Sequence, residues 1–200
     1  MKDTFGKSAA IVAGNVATAH AFEDLSEWGA DAIRVGIGGG SICSTRIQTG
    51  HGMPTLQSII ECAKTDRDVS IIADGGIRNS GDICKALAAG ADFVMLGGML
   101  AGHAECNGEK VGNHNGGKMK FYGMSSEDAQ LVHHGEKKDY RESEGKTVYV
   151  DYKGSVKNTI EEIMGGLRSA CTYAGARTIK DLPKCTTFVR VNRQLNEVFS

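Results

Sequence analysis

Hydrophobic and polar positions along the chain repeat one arrangement four times. Each repeat begins with a short apolar, β-branched run, continues through a glycine-bearing loop, and ends with apolar residues at helical spacing. The predicted strands are 9–13, 32–35, 69–73 and 93–96. Strands that alternate with helices are typical of a parallel sheet with right-handed crossovers. We therefore predict an α/β protein built from βα units.

Each predicted helix has one apolar face that we expect to be buried against the sheet. The first helix begins at about Thr18 and ends at Gly29, and the last spans 155–174. The expected buried positions are Phe22, Leu25 and Trp28 in the first helix, Leu56, Ile59, Ile60 and Ala63 after Pro54, Ile83, Ala86 and Leu87 after Ser80, and Ile160, Ile163, Met164 and Leu167 in the last.

A long insertion, residues 104–154, separates the fourth strand from its helix. Within it, Lys118–Tyr122 is predicted as one arm of a hairpin with Asn115 and Gly116 in the turn, and 126–132 as a short helix. Insertions of this length are usually flaps or binding loops. No linker marks a second domain, so we expect a single domain over 1–200 with this insertion as a flap.

Repeated βα units form either an open doubly wound sheet or a closed (β/α)8 TIM barrel. No Gly-x-Gly-x-x-Gly motif opens a helix with an acidic residue downstream, which disfavours the dinucleotide-binding open sheet. The barrel is the favoured fold.

Composition narrows the function. The 200 residues have a formal charge of −1, so we expect no nucleic-acid partner. No apolar run has the length of a membrane helix and the first residues do not resemble a signal peptide, so we expect no membrane contact and a cytoplasmic location. Six scattered cysteines include no Cys-x-x-Cys pair, which indicates reduced thiols.

One cysteine, Cys43, follows a turn that contains Gly36 and three further glycines, 38–40. Glycines allow positive φ and close approach of the backbone to a ligand, and a thiol near backbone amides can act as a nucleophile. The alternative is that Cys43 is a small buried hydrophobic residue, as many single cysteines are.

Two further turns follow the third and fourth strands, at Asp74-Gly75-Gly76 and Gly97-Gly98. In a barrel these positions often hold a phosphate on backbone amides, although both could be ordinary tight turns. The insertion also contains a charged cluster at 140–146. That cluster is either a solvated surface or the source of a general acid or base above Cys43.

Three motifs allow a family assignment. Residues 40–45 (GSICST), 72–77 (IADGGI) and 94–102 (VMLGGMLAG) resemble the inosine monophosphate dehydrogenase and guanosine monophosphate reductase superfamily. Residues 121–126 (FYGMSS), 140–147 (YRESEGKT) and 165–173 (GGLRSACTY) favour its reductase branch. The resemblance extends from about Ile11 to Ser200.

The resemblance implies NADPH-dependent reductive deamination of GMP to IMP and ammonia. Cys43 would attack C2 of the purine, while Thr45 and Glu144 would move protons to the departing amine. The residues that the resemblance assigns to the nucleotide are Asp74, Gly75, Gly76, Gly97, Gly98, Gly123, Met124, Ser125, Arg141, Glu142, Ser143 and Gly145. Those assigned to the cofactor are Ile37, Gly38, Tyr140, Arg141, Ser169, Ala170, Cys171 and Thr172, and those near a potassium ion are Gly38, Gly40, Cys43 and Arg46.

The resemblance also implies that this chain supplies about the last four βα units of an eight-stranded barrel. We expect the other half to come from a partner copy or a separate chain, or the chain to be a truncated product, because four units alone leave open strand edges. The family implies a homo-oligomer, a tetramer. The alternatives are a flavin-dependent barrel oxidoreductase, a nucleotide-binding remnant without turnover, and an inosine monophosphate dehydrogenase-like enzyme.

Overall fold

A four-stranded parallel sheet forms the centre of the structure, a computed structural model that describes residues 8–112, 117–135 and 143–192. Its strands lie side by side in chain order: β1 (Val12–Val16), β2 (Ala32–Val35), β3 (Ser70–Asp74) and β4 (Phe93–Met95). The predicted α/β fold with a parallel sheet and four βα units is therefore confirmed.

Helices follow the strands as the periodicity predicted, with two short additions. The helices are α1 (Ala19–Glu27), α2 (Thr45–Thr49), α3 (Thr55–Cys62), α4 (Ser80–Ala88), α5 (Glu127–His134), α6 (Lys157–Ala174) and α7 (Leu182–Cys185). The two that the periodicity did not predict are α2, which begins two residues after Cys43, and α7 near the end of the described chain. None of the helices within the described ranges has the length and apolar character that crossing a bilayer requires.

The core lies between the sheet and the helices. Ile33 and Val35 of β2 are fully buried, and Phe22 and Ile59 from α1 and α3 pack in the same cluster. Burying a side chain of this size contributes about 1.5–3 kcal/mol. Because side chains alternate across a strand, the residue between the two, Arg34, lies on the opposite face of the sheet.

The predicted position of the first strand was wrong by three residues. β1 includes Gly14 and Asn15, which the sequence analysis assigned to the following loop, and Gly14 pairs with Arg34. A β-carbon on Gly14 would lie 2.8 Å from the Arg34 backbone oxygen, so only glycine fits against β2 here. Glycine and asparagine are rare in strands, which is why propensity placed them outside the strand.

Three predicted helix faces are only partly buried. Trp28 is 77% exposed because α1 ends at Glu27, so that Trp28 is the C-cap residue and not part of the buried face. Ala63, the C-cap residue of α3, is exposed as well. In α6, Ile163 and Leu167 are buried as predicted, whereas Ile160 and Met164 are 44% and 40% exposed. The burial predicted for Trp28, Ala63, Ile160 and Met164 was therefore wrong.

The insertion forms a second sheet, which we call the inserted sheet. It contains β5 (Lys110–Val111), β6 (Lys118–Tyr122) and β7 (Thr147–Asp151) in antiparallel order. The predicted arm Lys118–Tyr122 is confirmed as a strand, but its longer pairing is with β7, which the sequence analysis did not identify. The predicted turn at Asn115 and Gly116 lies outside the described residues. The short helix is confirmed as α5, whose N-terminus is capped by Ser126.

Candidate active site

A cavity of about 430 Å³ opens at the carboxyl ends of β1, β2 and β3. This edge of a parallel sheet is where ligands bind in barrels and in open α/β sheets. A volume of this size is within the range of small-molecule sites. The lining residues are Asn15, Arg34, Gly36, Ile37, Gly38, Gly39, Gly40, Ile42, Cys43, Thr45, Asp74, Gly75, Gly123, Met124, Ser125, Glu144 and Gly145.

Glycines allow the two turns of this edge to lie in direct contact. Gly36 has a φ of 141°, and a β-carbon there would lie 2.0 Å from the backbone oxygen of Asp74. Gly75 has a φ of 86°, and a β-carbon there would lie 2.8 Å from Gly39. The loop that contains Cys43 is therefore held against the end of β3 by backbone contacts that a side chain would prevent.

Cys43, Thr45 and Glu144 form a continuous hydrogen-bond chain at the cavity wall. Cys43 Sγ donates to Thr45 Oγ1 at 3.1 Å, and Thr45 Oγ1 donates to Glu144 Oε2 at 2.6 Å. Cys43 is half-buried and lines the cavity. The arrangement places a thiol and a carboxylate at the two ends of one hydroxyl group, which suits proton movement next to a nucleophile.

Backbone pairing fixes Glu144 beside the cysteine loop. Cys43 and Gly145 form an antiparallel bridge, and the Ser44 amide donates to the Glu144 carbonyl at 2.9 Å. The Lys146 amide donates to the Ile42 carbonyl at the same distance of 2.9 Å. Glu144 is thus brought 99 residues back along the chain to Thr45.

Asp74 ends β3 and has two side-chain partners that the sequence analysis missed. Its Oδ2 accepts from Asn15 Nδ2 and from Arg34 Nη2, each at 2.6 Å. Asn15 belongs to β1 and Arg34 to β2. In the sequence, the available sign of this contact was a polar residue within each strand, on the face of the sheet away from the helices. Gly76, assigned to the same turn, lines a neighbouring cavity of about 340 Å³ together with Arg46.

The loop after β6 forms the opposite wall. Gly123, Met124 and Ser125 all line the cavity. Ser143 Oγ donates to the carbonyl of Ser125 at 2.8 Å and to that of Gly145 at 3.2 Å. Ser143 therefore joins the two segments of the inserted sheet that lie at the cavity.

Gly97 and Gly98 lie beside the cysteine loop and not in the cavity wall. A β-carbon on Gly98 would lie 3.0 Å from Ser41 Oγ, so the turn after β4 packs on the residue two positions before Cys43.

The four cofactor residues predicted on the last helix do not line this cavity. Ser169, Ala170, Cys171 and Thr172 lie on α6, and Ala170 lines a different groove with Cys84 and Tyr173. Tyr140, Arg141 and Glu142 lie outside the described residues. The assignments made to these positions stay predictions.

Another cysteine shows how burial changes thiol chemistry. Cys62 packs in the core under the parallel sheet. Burial, with a smaller effect from the charge of Glu61, raises the pKa of Cys62 to about 11. Burial likewise raises the pKa of Cys84, with Cys171 as the next cause. A thiol in either place stays protonated and unreactive at neutral pH.

Comparisons with known proteins identify relatives of the chain. A family model described as the IMP dehydrogenase / GMP reductase domain matches residues 1–197. Human GMP reductase 1 is 55% identical over 193 residues, which cover 95% of this chain and 56% of the human protein. GMP reductase of Phytophthora infestans is 53% identical over 191 residues, which cover 94% of this chain and 53% of that protein.

A solved structure has the same fold. The crystal structure of Trypanosoma brucei GMP reductase in complex with guanosine 5′-monophosphate matches with a TM-score of 0.86 and 41% identity. The match covers 92% of this chain and 39% of that one. The chain spans about half the length of the curated relatives it matches. It belongs to the IMP dehydrogenase / GMP reductase family.

Proposed function

We propose that this chain forms the catalytic part of a GMP reductase, which converts GMP to IMP and ammonia with NADPH. The observation that supports this most strongly is the hydrogen-bond chain from Cys43 through Thr45 to Glu144 at the wall of a nucleotide-sized cavity. The relatives at 53–55% identity are named GMP reductases, which supports the same assignment.

In the proposed reaction, Cys43 Sγ adds to C2 of the purine and the C2–N2 bond breaks. The amine leaves as ammonia after gaining a proton, so that the purine remains bonded through C2 to the sulfur. Covalent catalysis divides one difficult displacement into two easier steps. When C2 has been reduced, the C–S bond breaks and IMP leaves with the thiol restored.

Thr45 and Glu144 would move the protons of this sequence. Thr45 Oγ1 contacts both the Cys43 sulfur and the Glu144 carboxylate. A hydroxyl group alone is too weak an acid to protonate an amine, whereas a hydroxyl bonded to a carboxylate can pass a proton in either direction. The thiol proton would therefore pass through Thr45 toward Glu144 and return to the departing amine.

Asp74 and the glycine turns would hold the nucleotide. The Asp74 carboxylate lines the cavity and suits ribose hydroxyl groups, while the backbones of Gly75, Gly76, Gly97 and Gly98 suit phosphate oxygens. Gly123, Met124, Ser125, Ser143 and Gly145 would contact the base from the inserted sheet, together with Arg141 and Glu142.

NADPH would supply the hydride that C2 accepts. Ile37 and Gly38 line the same cavity as Cys43, so an apolar side chain and a backbone without a β-carbon lie next to the thiol. This surface fits a flat ring next to a purine. Tyr140, Arg141 and the α6 residues 169–172 would hold other parts of the cofactor.

Potassium would bind at the carbonyl oxygens of Gly38, Gly40 and Cys43. Oxygen donors from one turn fit a hard cation. The Gly40 carbonyl accepts from the Cys43 amide at 3.1 Å, and a carbonyl has a second lone pair for a cation. Arg46 lies beside this turn and donates to the Met53 carbonyl at 2.8 Å. The protein would assemble into a homotetramer in the cytoplasm.

The test is the loss of NADPH absorbance on addition of GMP. Wild-type protein is expected to show a GMP-dependent loss, Cys43→Ala none, and the control Cys185→Ala, which removes an exposed thiol outside the cavity, the wild-type rate. Full turnover by Cys43→Ala would overturn the nucleophile assignment. Wild-type protein that binds IMP without consuming NADPH would instead favour a nucleotide-binding protein without turnover.

A further inference from the structure

One oxygen of Asp74 is held from two strands, while the other accepts no hydrogen bond from the part of the chain that the structure describes. Asn15 and Arg34 both donate to Asp74 Oδ2 at 2.6 Å. In residues 8–112, 117–135 and 143–192, no hydrogen bond to Asp74 Oδ1 is present. The side chain is 18% exposed and lines the cavity, so the free oxygen is available to a ligand.

Asn15 and Arg34 are themselves held in place by the sheet. Asn15 Nδ2 also donates to the Gly36 carbonyl at 2.8 Å, at the start of the cysteine loop. A β-carbon on Gly14 would lie only 2.9 Å from the Cβ of Arg34, so β1 and β2 approach each other closely at this point. The two donors therefore come from two neighbouring strands, β1 and β2, and together they hold the carboxylate in one orientation before a ligand binds.

The positive charge of Arg34 also lowers the free-energy cost of removing the Asp74 carboxylate from water. A carboxylate that is largely removed from water is unfavourable unless it is paired and hydrogen-bonded. Arg34 pairs with Asp74 through Oδ2 alone, so the pairing leaves the hydrogen-bonding capacity of Oδ1 unused. A held, charge-compensated carboxylate with one open oxygen is suited to accept hydrogen bonds from neighbouring hydroxyl groups.

We propose that Asn15 and Arg34 are positioning residues that orient Asp74 so that its Oδ1 accepts hydrogen bonds from the ribose hydroxyls of the nucleotide. This inference rests on the proposed function, and it makes the pair responsible for the preference for ribonucleotides over deoxyribonucleotides. A nucleotide without the 2′-hydroxyl leaves a positioned, largely buried acceptor unpaired, which a site of this kind rejects.

Because both residues also line the cavity, direct contact with the nucleotide is the competing explanation. A double-mutant cycle separates the two, since residues that act through each other are not additive. The cycle measures GMP dissociation constants by calorimetry for wild type, Asn15→Ala, Asp74→Ala and the double variant. This chain is used as it stands.

The positioning role predicts that Asp74→Ala weakens GMP binding by about 10–100-fold and Asn15→Ala by about 5–10-fold. In the Asp74→Ala background, Asn15→Ala should change GMP affinity by less than about 2-fold. The preference for GMP over 2′-deoxyguanosine 5′-monophosphate should fall toward one in Asn15→Ala. In turnover, Asn15→Ala should raise KM and leave kcat within about 3-fold, because the reacting atoms are not touched.

Two further variants guard against a folding artefact. Asn15→Asp keeps the shape of the side chain but replaces the donor with an acceptor, so it should weaken GMP binding at least as much as Asn15→Ala. Arg67→Ala removes an arginine–carboxylate bond of 2.5 Å to Glu27 that lies away from the cavity, and should leave GMP affinity unchanged.

The inference is overturned if Asn15→Ala weakens GMP binding by the same factor in both backgrounds, or leaves affinity and ribose preference as in the wild type. An equal loss in Arg67→Ala would also overturn it, as general destabilisation. If wild-type protein binds GMP but does not consume NADPH, the proposed reaction is wrong, while the double-mutant cycle still tests the positioning role. If wild-type protein does not bind GMP, both the proposed reaction and the positioning role are wrong.

Discussion

The parallel sheet and the inserted sheet contribute to the cavity in different ways. At the parallel sheet, Cys43 lies in the loop after β2 and Asp74 ends β3. These two strands are neighbours both along the chain and in the sheet. From the loop that precedes β7 of the inserted sheet, Glu144 comes to Thr45 across 99 residues through backbone pairing with the cysteine loop. Cys43 and Glu144 therefore lie in loops next to different sheets, and the contact between these loops depends on how the two sheets are held together.

The largest expected effect comes from the inserted sheet. Glu144→Gln keeps the shape of the side chain and its contact with Thr45 but cannot take up a proton. We expect kcat to fall by about 10²–10⁴-fold, with GMP affinity changed by less than about 3-fold. Steady-state kinetics and calorimetry measure the two quantities.

The matched control is Glu161→Gln on α6, where the carboxylate is exposed and pairs with Lys157 at 3.8 Å. It should leave kcat as in the wild type. An unchanged kcat in Glu144→Gln would show that the inserted sheet contributes only to binding.

The second prediction concerns the contact between the two turns of the parallel sheet. Gly36→Ala places a β-carbon 2.0 Å from the Asp74 backbone oxygen at a φ of 141°, so β2 and β3 must separate locally. We expect the free energy of unfolding in urea to fall by about 2–4 kcal/mol.

Gly165→Ala is the opposite case, because Gly165 lies inside α6 with no neighbour within 4 Å of an added β-carbon. This variant should raise the free energy of unfolding by about 0.5–1 kcal/mol. Equal effects of the two substitutions would contradict the close contact at Gly36.

The sequence predicted most of the parallel sheet and part of the cavity. Strands, helices and glycine turns follow from local patterns, and the family motifs placed Cys43, Thr45 and Glu144 in one site before the hydrogen bonds between them were known. Asn15 was missed because a polar residue after a glycine is typical of a loop. Its role depends on a contact with Asp74, 59 residues away.

The inserted sheet was predicted less well. The sequence 147–151 (TVYVD) alternates in the way strands do, and this sign was available but unused. The pairing of this strand with β6 could not be predicted from the local sequence, because α5 and a further segment separate Tyr122 from Thr147. Register between strands so far apart is set by the folded structure and not by a short turn.

The third prediction sharpens the contrast between a core thiol and an exposed thiol. The pKa of Cys62 is raised to about 11 by burial, so at pH 8 only about one thiol in a thousand is ionised. Iodoacetamide should label Cys62 at least about 100-fold more slowly than the exposed Cys185 in folded protein. In urea the two rates should become similar, and mass spectrometry of the peptides follows both. Fast labelling of Cys62 without denaturant would contradict its burial in the core.

The smallest effect concerns the attachment of α5 to the inserted sheet. Asp128 accepts from Lys120 at 2.5 Å and from Thr147, and these bonds, Lys120 first, hold its pKa below the ordinary 3.8. They favour the ionised carboxylate, so their stabilisation is present above pH 3.8 and is lost as the pH falls through the lower pKa of the folded state.

Asp128→Asn should remove this acid-dependent loss, which urea midpoints at a series of pH values would show. The control Asp66→Asn, at an exposed position, should keep the wild-type pH dependence. Identical acid dependence in Asp128→Asn and wild type would contradict the role of the Asp128 bonds.

The central claim is that the Cys43 sulfur attacks the purine at a site completed by both sheets. The most direct measurement is the mass of the tryptic peptide 35–46, which contains Cys43, after the protein is mixed with GMP and quenched in acid. We predict a peptide heavier by the mass of GMP less ammonia, present in wild type and much reduced in Glu144→Gln. GMP-dependent turnover with this peptide unmodified, or with the added mass on another cysteine, would contradict it.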